Sequence, residues 1–154
     1  MPHPSAAGDD GALSPDKYRV ALEVEIPSDV SYIERVVALV TRQCAELELP
    51  AQLCRLNVPV ALSEALSNAI LYGNGENPEK HVRVRASVSD EDLVLEVVDE
   101  GGGFDLERCL VDPTTPDNIA REDGRGLYLM RQLTDRVERF DQQGNVVRLT
   151  LRRT

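Results

Sequence analysis

The chain has 154 residues, which is room for one domain and hardly two, and enough to bury a core without disulfide or metal staples. Hydrophobic residues make up 42% and charged residues 29%, an ordinary globular balance. A formal net charge of −10 argues against a general nucleic-acid binder, whose footprint would be basic; it suits a basic protein partner or solubility alone. The three cysteines, Cys44, Cys54 and Cys109, form no C-x-x-C pair. With His3 and His81 as the histidines, no zinc-ligand spacing arises, so inert thiols in a reducing cytoplasm are expected. The N-terminus lacks a basic region followed by an apolar one, and "VVALV" at 36–40 is far too short to span a bilayer. A cytoplasmic protein with no membrane contact is expected.

Residues 1–16 are rich in Pro, Gly, Ala, Ser and Asp without a period, and are expected to form a disordered tail, with a domain over 17–154. "YRVALEVEI" alternates, placing Tyr18, Val20, Leu22, Val24 and Ile26 on one face of a strand. Ile33, Val36, Val37, Val40 and Cys44 then recur at helical spacing, with Ser28 or Asp29 as the N-cap. After a break near Pro50, a second helix is expected with Asn57 as its cap and Pro59 in its first turn, ending at "YGNGENP". "KHVRVRASVS" and "DLVLEVVD" alternate and read as a hairpin. Residues 101–123 read as loop, "GRGLYLMRQLTD" as a helix, and "RVERF" and "NVVRLTLRR" as a second hairpin. This order favours an α+β two-layer sandwich, with helices on one face of a mixed, mostly antiparallel sheet.

Three stretches carry chemistry. In "LSEALSNAILYGN", Glu64 and Asn68 lie one turn apart, opposite the apolar stripe of Leu62, Leu66 and Ile70. Taken alone, the pair reads as a solvated polar face. In "VVDEGGGFD", three glycines follow a strand that ends at Asp99, more than a tight turn requires. In "DGRGLYLM", Gly124 and Gly126 open a helix, whose bare N–H groups form a natural phosphate seat. A P-loop, a dinucleotide fingerprint and the protein-kinase motif set are all absent from the sequence.

The ordered trio E-x-x-x-N on a helix, D-x-G-x-G after a strand, and G-x-G into a helix resembles the Bergerat-fold ATPases, the GHKL or HATPase_c-like superfamily. The spellings in so short a chain look most like the anti-sigma factor serine/threonine kinases, small domains that bind a sigma factor and phosphorylate an anti-anti-sigma (STAS-type) partner on serine. The resemblance spans Glu64 to Met130. It implies the Bergerat ATP-binding fold, ATP with Mg²⁺ as cofactors, and Asn68 as the protein's metal ligand, an amide oxygen suited to a hard cation. It also implies Glu64 as the catalytic base. Asp99 would accept from the adenine amine, and losing that bond costs about 1.5–3 kcal/mol, roughly tenfold to a hundredfold in affinity. Gly101 and Gly103 would let the backbone fold under the base. Gly124, Arg125, Gly126 and Leu127 would line the phosphates, and residues 105–123 would form a lid. Arg121 or Arg125 would add charge near the γ-phosphate. Such domains often form homodimers, with the first strand and helix as the expected surface. Gly102 and Glu100 are not required by the motif. No histidine-bearing phosphoacceptor segment is marked, which disfavours a histidine kinase. The competing expectation is a non-catalytic, nucleotide-switched protein-binding module of a bacterial signalling pathway.

Overall fold

A computed structural model describes residues 12–101, 122–141 and 144–154, with 122–125 described by backbone alone. Strands β1 (Arg19–Pro27), β2 (His81–Val88), β3 (Asp92–Asp99), β4 (Arg136–Asp141) and β5 (Asn145–Arg152) form one sheet in the order β1-β2-β3-β5-β4. Every adjacent pair is antiparallel. The expected α+β sandwich therefore forms with a wholly antiparallel sheet. β3 and β4 run in the same direction but do not pair, because β5 lies between them.

Helices α1 (Ile33–Glu46), α2 (Val58–Asn68) and α3 (Glu122–Leu133) cover one face. The strand alternation explains why: Val82, Val84 and Ala86 of β2, Leu93, Leu95 and Val97 of β3, and Val147, Leu149 and Leu151 of β5 share that face. They pack against Val36, Val40 and Cys44 of α1, Leu62 and Leu66 of α2, and Leu127 and Met130 of α3 in one contiguous core. Cys44 and Cys54 are free and buried within it, and burial pushes the Cys44 thiol up to about 12.

Several local expectations change. Val20 does not share the face of Leu22. A bulge between them pairs Val20 with Ser87 and Leu22 with Ala86, residues on opposite sides of β2, so Val20 is left 55% exposed. Asp29, not Ser28, caps the first helical turn, its carboxylate accepting from the Ser31 N–H at 2.9 Å. Ser28 is buried instead and donates to the Lys80 carbonyl.

Asn57 is not a cap at all. The chain is already helical from residue 51, and Asn57 ends a π-helical turn, Leu53–Asn57, with its side chain donating to the Leu133 carbonyl at 2.9 Å. The widened turn, closed by the Val58 N–H on the Leu53 carbonyl, lets Pro59 sit inside a continuing helix. α3 is described over Glu122–Leu133, and Gly124 and Gly126 lie in it as expected. The tail expectation for 1–16 falls mostly outside the described residues; within them, the Tyr18 N–H closes a turn onto the Ser14 carbonyl.

The face away from the helices carries a row of alternating charge. Glu23, Arg85, Glu96, Arg148 and Glu138 are direct cross-strand neighbours across all five strands. At its centre the Arg148 guanidinium donates twice to one oxygen of Glu96, at 3.1 and 2.9 Å, and stacks on the Phe140 ring.

Candidate nucleotide site

α2 runs directly into a second π-helical turn, Ala69–Gly73, closed by the Asn74 N–H on the Ala69 carbonyl at 2.8 Å. Such turns cluster at functional sites because they rotate the residues around them away from regular helical positions. Here the turn lies between two groups of side chains that the sequence analysis singled out. Glu64 and Asn68 precede it, and Gly73 at its end meets Asp99. Asn68 and Gly73 are separated by a rise of about 7 Å along the helix.

The first group forms where α2 meets α3. Asn68 is 3% exposed, and its amide nitrogen is buried without a hydrogen-bond partner among the described residues. Gly126 lies opposite: a side-chain carbon there would come within 2.7 Å of Glu64 Oε2 and 3.5–3.7 Å of the Asn68 amide. One glycine on α3 thus faces both polar residues of α2. The i, i+4 spacing had placed Glu64 and Asn68 side by side; the structure adds the glycine of α3 that packs directly against them. Leu127, next along α3, is fully buried in the core.

The second group surrounds Asp99 at the end of β3. Asp99 is 1% exposed. One carboxylate oxygen accepts from the Gly101 N–H at 2.9 Å and the other from the Asn145 amide at 3.1 Å. Burial raises its carboxyl above the ordinary range, against the lowering effects of Asn145, the Gly101 N–H and the charges of Arg139 and Lys80. Gly73 and Gly101 allow the close approach. A side chain at Gly73 would collide with the Asp99 carboxylate, and one at Gly101 with the Gly73 carbonyl.

Asn74 locks this corner. Its amide donates to Ser28 Oγ and the His81 carbonyl, and its oxygen accepts from the Glu100 N–H, at 2.8, 3.0 and 2.8 Å. The Glu100 carboxylate in turn accepts from the His81 backbone N–H. The acidic residue that the motif does not require thus helps tie the glycine turn to β2.

Sequence reasoning missed Gly73, Asn74 and Asn145. The first two lie inside the quoted "LYGN", where they read only as a helix stop. Asn145 begins a strand, with nothing in its neighbours to link it to Asp99. Gly103 and Arg121 lie outside the described residues, as does the lid expected over 105–123 up to residue 121. Gly124 and Arg125 are placed as helical backbone in α3. No helix among the described residues is long and apolar enough to cross a membrane.

A helix bearing a carboxylate and a buried amide, facing a glycine on a second helix and ending against a buried aspartate at a glycine turn, is a layout that sequence comparison can test. Residues 26–151 match the family described as Histidine kinase-like ATPase domain. The chain belongs to this family. Among curated relatives, the serine-protein kinase RsbW of Bacillus subtilis (strain 168) is 34% identical over 99 residues, 61% of this chain and 62% of its own length. RsbW of Bacillus velezensis is 28% identical over 134 residues, 84% of this chain and 83% of its own. An anti-sigma F factor of Heyndrickxia coagulans is 37% identical over 92 residues, 57% of this chain and 63% of its own. The chain therefore aligns with less than two thirds of the Bacillus subtilis and Heyndrickxia proteins. The crystal structure of the RsbU and RsbW domains of Rv1364c from Mycobacterium tuberculosis superposes with a TM-score of 0.62 at 18% identity, covering 92% of this chain and 33% of that one. That likeness is one of fold alone.

Proposed function

We propose that this ATPase-family domain is an ATP-dependent serine-protein kinase and anti-sigma factor, which holds a sigma factor and phosphorylates a serine of an anti-anti-sigma partner in the cytoplasm. The observation that carries the proposal is the convergence of Glu64 and Asn68 on Gly126. A carboxylate and an amide of α2 face one glycine of α3, where a side-chain carbon would crowd the carboxylate. The relatives named as serine-protein kinases and anti-sigma factors support the same reading.

Each residue has a definite task in this reading. Asp99 accepts from the exocyclic amine of adenine, and the neighbouring Asn145 oxygen, buried without a partner, offers the amine a second acceptor. Guanine presents a carbonyl at that position and would meet two acceptors. Gly73 and Gly101 let the backbone pack directly against Asp99 and against each other. Asn68 would hold Mg²⁺ through its amide oxygen, a hard donor of the kind that cation takes. The ion supplies neutralisation of phosphate charge. Glu64 takes the proton from the acceptor serine as its oxygen bonds to the γ-phosphorus, while the bond to the bridging oxygen breaks and ADP leaves with the electron pair.

Incubation of the purified protein with labelled ATP and an anti-anti-sigma partner tests this. Glu64→Ala is expected to lower phosphotransfer by about 10²–10⁴-fold while ATP still binds. Transfer at the wild-type rate would remove Glu64 as the base. Intact ATP in every mixture, wild type included, would favour a nucleotide-switched binding module instead.

A further inference from the structure

The Arg139–Asp141 pair on the edge strand β4 is not used by the proposed phosphotransfer. Asp99, Asn145 and Asp141 are direct neighbours in one row across β3, β5 and β4. Arg139 pairs with Val147, whose side chain belongs to the helix-side core, so Arg139 and Asp141 share the face that carries Asp99. Two strand spacings separate Asp141 from Asp99, about 10 Å between backbones. The guanidinium is held at that level by Asp141, at 3.1 and 2.7 Å. Its Nε is buried and has no hydrogen-bond partner among the described residues, so the arginine is not fully used by the ion pair.

We infer that Arg139 is a positioning residue of the nucleotide pocket: clamped by Asp141 beside Asn145, it supplies the positive charge that keeps the buried Asp99 able to accept the amine of a 6-aminopurine. The inference rests on the adenine-binding reading of Asp99 given above. The need for such a charge follows from the surroundings. Burial works against an ionised carboxylate, and a neutral Asp99 would have lost half of its accepting capacity.

The groups that face Asp99 can be named element by element. Gly73 ends the helix above it, and Gly101 donates from its own turn. Asn145 donates from β5, and Arg139 with Asp141 lies on β4. Lys80, just before β2, adds a second favourable charge, while Glu100 is engaged with His81. Arg139 is thus the cation carried by the sheet itself. Its Asp141 partner is mostly exposed, so solvent weakens the opposing negative charge more than it weakens the half-buried guanidinium.

The test has two readouts. The first needs no nucleotide: the ¹³C shift of the Asp99 carboxyl is followed against pH in wild type, Arg139→Gln and Arg139→Lys. Arg139→Gln is expected to move the midpoint upward by about one pH unit, and Arg139→Lys to leave it close to wild type. The second is calorimetric ATP affinity over the same pH range. The acid-side loss of binding should begin about one unit higher in Arg139→Gln, with Arg139→Lys restoring the wild-type profile. A purely structural role would lower stability in both variants and leave the midpoint where it was. An unmoved Asp99 midpoint in Arg139→Gln overturns the inference. A moved midpoint in a protein that takes up no ATP overturns the adenine reading instead and leaves the Arg139–Asp99 coupling standing.

Discussion

Asp99 shows how one residue can pull stability and function in opposite directions. Its carboxyl sits above the ordinary range because burial outweighs its two hydrogen bonds and nearby cations. The native state therefore binds this proton more tightly than the unfolded chain does. The group's contribution to stability is fully present below the unfolded pKa and is lost as pH rises through the folded one. The proposed adenine contact uses the opposite state, the carboxylate. Lowering the pH from about 7 to about 4 should thus weaken ATP binding while raising the stability of wild type relative to Asp99→Asn, which cannot titrate. Urea denaturation of both proteins at the two pH values, beside ATP titrations, checks this; a stability difference independent of pH would mean that Asp99 is not held against its ionisation. None of this was legible in "VVDEGGGFD". The aspartate and the glycines could be read there, but the burial that raises the carboxyl depends on Gly73 and Asn145, which lie far away in sequence and meet Asp99 only in the folded chain.

Among the elements, those with a clear period were readable and those that bend were not. β2, β3 and β5 carry apolar residues at every helix-side core position, and the stripe of Val36, Val40 and Cys44 marks the inner side of α1. Val20 failed because a bulge inserts one residue and inverts the alternation beyond it, a change that the apolar pattern does not record. Asn57 failed because a helix was already running when it arrived; Pro59 looked like a helix start, whereas a π turn had made room for it. On the sheet's outer face, Glu96 and Arg148 occupy alternation positions that predict solvent, yet they are 9% and 2% exposed. They are tolerated because each satisfies the other. Glu96→Ala should therefore cost about 3–5 kcal/mol by leaving a buried guanidinium without its carboxylate, whereas Glu96→Leu with Arg148→Met should recover most of that loss. Chemical denaturation measures both; a loss under about 1 kcal/mol for Glu96→Ala would place this pair among solvated surface bridges.

At the scale of the whole molecule, the site is a junction rather than a loop. α2 brings Glu64 and Asn68, α3 brings Gly126, the end of β3 brings Asp99, and β5 brings Asn145. The sequence order of the three motifs was enough to suggest an ATP pocket, because each motif is local. Their placement was not readable, because it depends on a π turn that leads from Glu64 and Asn68 on α2 to Gly73 beside Asp99. The central claim is that these two groups of residues serve one ligand. Isothermal titration of ATP with Mg²⁺ into wild type, Asn68→Ala and Asp99→Asn tests it most directly. Wild type should bind, and each variant should lose about tenfold to a hundredfold in affinity, Asn68→Ala through the metal-bearing end and Asp99→Asn through the base. No uptake by wild type, or wild-type affinity in both variants, would contradict it.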